Sequence, residues 1–138
     1  MKVLVCGGKH FSQRQVVYDT LSELHSRHPI TLEMDSANAS MERDKETQKF
    51  TAIGAEVFAN EWCVANHVPC KTFVANRFKY GKLAEYIRNI NMVKEQPDIV
   101  VSFPAFGDTE HMLRLVREND IPMWAVDYEG NIKEIGFD

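Results

Sequence analysis

Several things are scarce in this 138-residue sequence, and each scarcity excludes something. No apolar run approaches the roughly 18 residues that a membrane-spanning helix needs. There is no basic stripe: acids and bases are mixed along the chain, and the formal net charge is −4. That argues against a surface built for nucleic acid and equally against one built for membranes. The chain opens directly into a strand pattern, without the basic stretch, apolar core and cleavage site of a signal peptide. Cysteine is limited to Cys6, Cys63 and Cys70. An odd set without CxxC spacing reads as free thiols in a reducing compartment, not as a disulfide frame or a zinc site. The expected location is therefore the cytoplasm. The histidines form no HExxH-type pair, and neither a metal nor a cofactor is expected. Linkers, internal repeats and low-complexity tracts are also missing, so residues 1–138 are expected to form one domain. A chain of this length buries roughly 68–70% of its unfolded surface, enough for one core.

What is there is a recurrent step from strand to helix. Lys2–Cys6 reads as a short buried strand that ends at Gly7-Gly8. A helix is expected from Ser12, as N-cap, to Arg27, with Val16, Val17, Thr20, Leu21 and Leu24 on its apolar stripe. Pro29 ends it, and Ile30–Met34 follows as a second strand with Asp35 at its carboxyl end. Residues 36–50 are small and then almost wholly polar. They are expected to form a solvated loop or short surface helix, the alternative being a lid over the sheet edge. A helix over Thr51–Asn66 leads to a strand at Val68–Val74 and a loop from Ala75 to Gly81. The next helix, Gly81–Lys94, carries an inward stripe of Leu83, Tyr86, Ile87, Ile90 and Val93. Asp98–Phe103 is the clearest buried strand. A turn at Pro104–Asp108, a helix over Thr109–Asn119 and a strand over Ile121–Val126 complete the series. Glu129-Gly130-Asn131 could turn a final hairpin, with Ile132 and Ile135 on one face. Strands alternating with helices in this way predict an α/β, Rossmann-like three-layer sandwich with a mostly parallel central sheet of five or so strands.

In such a sheet the ligand crevice lies at the carboxyl ends of the strands. Gly7–Phe11, Asp35–Ser40 and Pro104–Thr109 converge there. The Gly7 and Gly8 N–H groups and Lys9 could face a phosphate, with Phe11 or His10 against a base or sugar. The alternative is a tight turn that needs only glycine's freedom of φ. Neither GxGxxG nor GxxxxGK[ST] is present. Arg88-Asn89 lies within a helix, where the arginine either snorkels to solvent or reaches over the crevice. Phe103–Thr109 resembles a second phosphate turn, though Asp108 or Thr109 could equally cap the following helix. Glu110 and His111 could act as an acid/base pair, but no nucleophile stands at a recognisable spacing. Cys6, near a helix N-terminus, is more readily a buried structural residue than a reactive thiol.

The order of these segments resembles a known family. Lys2–Phe11, Gly54–Trp62, Ile87–Met92, Val100–Pro104 with Thr109, and Ile121-Pro122 are similar to the YspA-type proteins of the cpYpsA-related branch of the SLOG superfamily. Its relatives include the LOG phosphoribohydrolases and the DNA-processing Smf proteins. The resemblance covers about residues 2–126. It implies a Rossmann-like fold, binding of nucleotides or nucleotide-derived signals, N-glycosidic cleavage in some members, and a possible homodimer. Carried over residue by residue, it makes Gly7, Gly8, Lys9, Phe11, Arg88, Asn89 and Thr109 ligand-pocket candidates. Asp35, Ser36 and Pro104 border them, with Asp35 able to accept from ribose hydroxyls. The sequence departs from the family at two places. The family's GGA-x-GAD survives only as Gly54-Ala55-Glu56, its glycine pair replaced by Ser36-Ala37 or by Phe50-Thr51, the former being preferred. Its FPGG-x-GT has become Phe103-Pro104-Ala105-Phe106-Gly107-Asp108-Thr109. His111 and Met112 stand where LOG enzymes carry a catalytic acid.

Three functions are consistent with these residues. The leading expectation is binding of a nucleotide-type small molecule, as a sensor or by sequestration. The second is hydrolysis of a nucleotide N-glycoside with Glu56, Asp35 or Glu110 as the acid. The third is an interaction module whose pocket has been lost at Ala105-Phe106.

Overall fold

A computed structural model describes residues 1–137. Its order is β1 (Lys2–Cys6), α1 (Arg14–Arg27), β2 (Leu32–Asp35), β3 (Ser40–Arg43), β4 (Phe50–Ile53), α2 (Ala55–Ala65), β5 (Cys70–Thr72), α3 (Arg77–Tyr80), a 3-10 turn (Gly81–Leu83), α4 (Ala84–Lys94), β6 (Ile99–Ser102), α5 (Glu110–Glu118), β7 (Met123–Val126) and β8 (Ile132–Ile135). Six strands form one sheet in the order β5-β2-β1-β6-β7-β8. The first five run parallel, and only β8 pairs antiparallel, against β7. This is the Rossmann-like three-layer arrangement, with strand order reversing between β1 and β6.

The alternation of the central strands sorts the core into two layers. Val3, Val5, Ile99, Val101 and Trp124 face α1 and α2, where Val17, Leu21, Leu24, Phe58 and Trp62 cover them. Leu4, Val100, Met34 and Met123 face the other way, against Met92 and Val93 of α4 and Met112 and Val116 of α5. Strands buried on both faces read as continuous apolar runs, which is why β1 and β6 are so plain in the sequence. No helix among the described residues is long and apolar enough to cross a membrane.

Several expectations are corrected. Helix α1 begins at Arg14 with Gln13 as its N-cap, and Ser12 makes no capping bond. Residues 36–50 form neither a loop nor a helix throughout: most of them belong to a β-hairpin in which Ser40 pairs with Ile53 and Arg43 with Phe50. Its turn is organised by Asp44, whose Oδ1 accepts the N–H groups of Glu46 (2.8 Å) and Thr47 (3.0 Å). Residues 41–50 are all exposed, so no apolar alternation marks the hairpin in the sequence. Helix α2 starts only at Ala55, because Gly54, at φ 134°, takes a conformation closed to other residues. The loop over Ala75–Gly81 contains α3. Leu83, in the 3-10 turn, and Tyr86 and Ile90 of α4 are exposed, and the buried positions of α4 are Ala84, Asn89, Met92 and Val93. Ile132 packs on the core, whereas Ile135, an odd number of residues further along β8, lies on the opposite face.

Candidate functional site

The carboxyl ends of β1, β2, β6 and β7 meet at the strand-order reversal, and three cavities open there around Asp108. The first is a cleft of about 650 Å³ lined by Lys9, Phe11, Ser12, Pro104, Phe106 and Tyr128. The second, about 620 Å³, lies between α4 and α5 and is lined by Tyr86, Arg88, Asn89, Glu110, His111 and Arg114. Between them a constriction of about 20 Å³ is walled by Ser36, Asn38, Glu56, Arg88, Asn89 and Thr109. Asp108 borders all three.

The opening turn is packed and largely self-satisfied. A Cβ on Gly7 would stand 2.5 Å from the Ala55 Cβ, and one on Gly8 would stand 2.8 Å from the Pro104 carbonyl oxygen. Neither glycine has positive φ. Their need is for absent side chains where β1 meets α2 and the β6–α5 turn, not for freedom of φ. The Gly8 N–H donates to Pro104 O (3.0 Å) and the Gly8 carbonyl accepts from Phe11 and Ala55. The Lys9 N–H donates to Asp108 Oδ2 (3.1 Å), which Asn38 Nδ2 approaches at 3.4 Å. The Gly8 N–H expected to face a phosphate is thus bonded to Pro104, and the next N–H, that of Lys9, is occupied by a carboxylate of the chain itself. Phe11 is buried between Phe103 and Tyr128, with ring centroids 5.8 Å from each. The aromatic surface open to a ligand in this cleft comes instead from Phe106 and Tyr128, both exposed.

The constriction holds an acid. Glu56, in the first turn of α2, is 4% exposed. Its Oε1 accepts the Ser36 N–H (2.6 Å) and the Ser36 hydroxyl (2.7 Å). Burial pushes its carboxyl up to about 7, against these bonds and with a smaller opposing pull from Arg88. Cys6, beneath it, is pushed up to about 12, chiefly by burial and then by Glu56, and is an inert core thiol. Thr109 is the N-cap residue of α5, yet no side chain makes a capping bond there, so its hydroxyl is not spent on the helix.

The α4–α5 cleft carries a half-buried charge that no carboxylate of the described residues meets. The Arg88 guanidinium is half-buried and donates from Nε (3.3 Å) and Nη2 (3.1 Å) to Asn89 Oδ1. It forms no ion pair among the described residues. Asn89 Nδ2 lies 3.0 Å from His111 Nδ1, and the Tyr86 ring meets the imidazole edge-on at 4.4 Å. Burial, then the neighbouring Arg114, lowers the His111 pKa and favours the neutral ring. With Asn89 donating to Nδ1, the ring proton sits on Nε2.

Asp35 is placed elsewhere. It is fully buried, its Oδ1 accepts from Ala37 N–H (2.7 Å) and Asn60 Nδ2 (3.1 Å), and it lines none of the three cavities. A role accepting ribose hydroxyls is not open to it. Beside it on the same face of β2 stands Glu33, also fully buried. Burial first, and then Asp35, raises the Glu33 carboxyl well above the usual range, and burial raises Asp35 as well.

Of the candidates named from the sequence, Ser36, Glu56, Arg88, Asn89 and Thr109 therefore share one constriction, while Gly8, Lys9, Phe11 and Pro104 share the neighbouring cleft. Gly7 lies behind both as packing. Glu110 lines the α4–α5 cleft from an exposed position. Sequence reasoning placed Asn38 only within the converging segment Asp35–Ser40, and it missed Tyr128. Tyr128 follows the carboxyl end of β7, and the rule that such ends line the crevice would have named it. Compared with models of protein families, with curated proteins and with solved structures, the chain matches none.

Proposed function

We propose that this chain is a SLOG-like domain that binds a nucleotide or nucleotide-derived small molecule, acting as a sensor or by sequestration. The observation that carries the reading is Arg88: a half-buried guanidinium without a carboxylate partner, opening beside Asn89, Thr109 and His111 at the carboxyl edge of a parallel sheet. A guanidinium left free in such a cleft suits a bidentate phosphate or carboxylate. The exposed Phe106 and Tyr128, across Asp108, offer a surface for a base. The test is a thermal-shift and calorimetric screen with nucleoside monophosphates, NAD, ADP-ribose and cyclic dinucleotides. A hit whose affinity falls in Arg88→Ala supports the reading. A flat screen moves the assignment to an interaction module.

A second reading is N-glycoside hydrolysis, favoured by Glu56. Its carboxyl, held near 7, is protonated often enough at neutral pH to protonate a leaving base. Release of free base from a nucleotide that binds, abolished in Glu56→Gln while binding persists, would establish it. Binding without release leaves the sensor reading standing.

A further inference from the structure

On the α2 side of the sheet, at its β5 edge, four side chains that the sequence scatters over 38 positions converge. Glu33 and Asp35 project from β2, Cys63 from α2 and Cys70 from β5. Cys70 Sγ lies 3.0 Å from Glu33 Oε2 and 3.8 Å from Asp35 Oδ2. Cys63 Sγ lies 3.8 Å from Glu33 Oε2. One donor atom each from Glu33, Cys63 and Cys70 falls within 4.8 Å of the others. Glu33 is 0% exposed, and its second oxygen, Oε1, is buried without any hydrogen-bond partner, the one such side-chain atom among the described residues. No lysine, arginine or histidine bonds to any member of the cluster. Two buried carboxyl groups and a buried thiol beside the exposed thiol of Cys70, with an orphaned carboxylate oxygen and no cation, are poorly satisfied as they stand.

We propose that Glu33, Cys63 and Cys70, with Asp35 beside them, form a binding site for a borderline-soft divalent cation, with Zn²⁺ the ion their donors fit best. Two sulfurs and the Glu33 carboxylate make an S₂O donor set, which leaves one position of a tetrahedral ion open on the side of Asp35. Calcium and magnesium prefer sets made only of oxygen, and thiolates select against them. With Zn–S bonds near 2.3 Å and Zn–O near 2.0–2.2 Å, neighbouring donors of a tetrahedral site stand roughly 3.5 Å apart. The two separations between Glu33 Oε2 and the sulfurs, 3.0 and 3.8 Å, bracket that spacing. The surroundings orient the donors. Asp35 Oδ1 is held by Ala37 N–H and Asn60, which leaves Oδ2 turned toward Cys70, and Asn60 Oδ1 itself contacts the Cys70 thiol. Entry is from the edge: all three residues of β5 are exposed. Binding exchanges the thiol protons and any carboxyl proton for the ion, so protons are released and the ion is held more tightly as pH rises. The bound ion would tie the three-residue edge strand to β2 and α2, and would fix the strand end from which Ser36 reaches Glu56.

The test uses the whole chain, reduced and stripped with a chelator, titrated with Co²⁺ and then with Zn²⁺. One equivalent of Co²⁺ should bring a thiolate-to-cobalt charge-transfer band and the strong visible bands of a tetrahedral site, and Zn²⁺ should displace both. Zn²⁺ should also raise the melting temperature and release protons. Cys70→Ser, at an exposed position, should lose the visible bands and the thermal shift. Cys63→Ser should behave likewise, and Glu33→Gln should weaken Zn²⁺ at least about tenfold. Cys6→Ser should change none of these. If Cys63→Ser does not fold, Cys70→Ser decides alone. No charge-transfer band in the reduced chain overturns the proposal, and so does Zn²⁺ affinity unchanged in Cys70→Ser, which would mean an adventitious ion only.

Discussion

The two sides of Asp108 are built from similar materials and spend them differently. On one side the glycine turn closes on itself. Gly7 and Gly8 are pressed against Ala55 and Pro104, the Gly8 N–H is bonded, and the Lys9 N–H holds the Asp108 carboxylate. On the other side Arg88, Thr109 and His111 keep donors that the fold has not consumed. A strand–Gly-Gly–helix step is thus first a packing device. The polar groups left free to meet a ligand lie on the side of Arg88, Thr109 and His111.

The sharpest way to break that contrast is Gly7→Ala. A methyl group 2.5 Å from the Ala55 Cβ cannot be accommodated without moving α2 from β1. The expected loss is about 3 kcal/mol in denaturant unfolding, partly recovered by adding Ala55→Gly. If Gly7→Ala is as stable as the parent, the turn is not packing-limited and its glycines must be explained by a ligand.

Next in size is the pH dependence of stability set by Glu56. Its folded carboxyl lies near 7 against an ordinary 4.5. Between those values the native state holds more protons than the unfolded chain, so stability is greatest below about 4.5 and falls as pH rises through 7. The whole effect is of order 3 kcal/mol. Glu56→Gln should flatten that part of the profile measured by urea unfolding between these limits. Glu33 and Asp35, also raised, add slope of the same sign, so the difference between the two proteins is the quantity to read.

Arg88→Ala should cost little stability, because the side chain bonds only to its neighbour Asn89. It should weaken the best nucleotide ligand at least tenfold, about 1.4 kcal/mol, by calorimetry. Equal affinity would shift the anion site back toward Lys9. The smallest effect is expected at Asp108→Asn. Removing the carboxylate that occupies the Lys9 N–H should tighten an anionic ligand by about threefold at most, since the group is exposed and screened. A larger gain would mean that Asp108 competes directly with the ligand.

How much of this was legible depends on where each residue's partners lie. β1 and β6 are apolar on both faces, and their character follows from the run itself. The hairpin at β3 and β4 was not legible, because its residues 41–50 are exposed and its order comes from Asp44 and cross-strand pairing. The stripe of α4 was misassigned by phase: Asn89 faces inward to meet His111, while Tyr86 and Ile90 stay out. Arg88, Asn89, Glu56 and Ser36 were named separately, but nothing in their spacing says that they meet in one constriction.

The amino-acid sequence alone determined the alternation of strands and helices, the mostly parallel sheet and the edge at which a crevice must lie. Those follow from local periodicity and from the chirality of βαβ crossovers. Only the tertiary structure decided that Asp108 occupies the Lys9 N–H, that Arg88 is left without a carboxylate partner, and that Asp35 turns inward toward Cys70. Each of these depends on which groups, distant in the chain, pair or fail to pair. Such pairings are set by the burial and hydrogen-bond demands of the packed elements rather than by any local pattern.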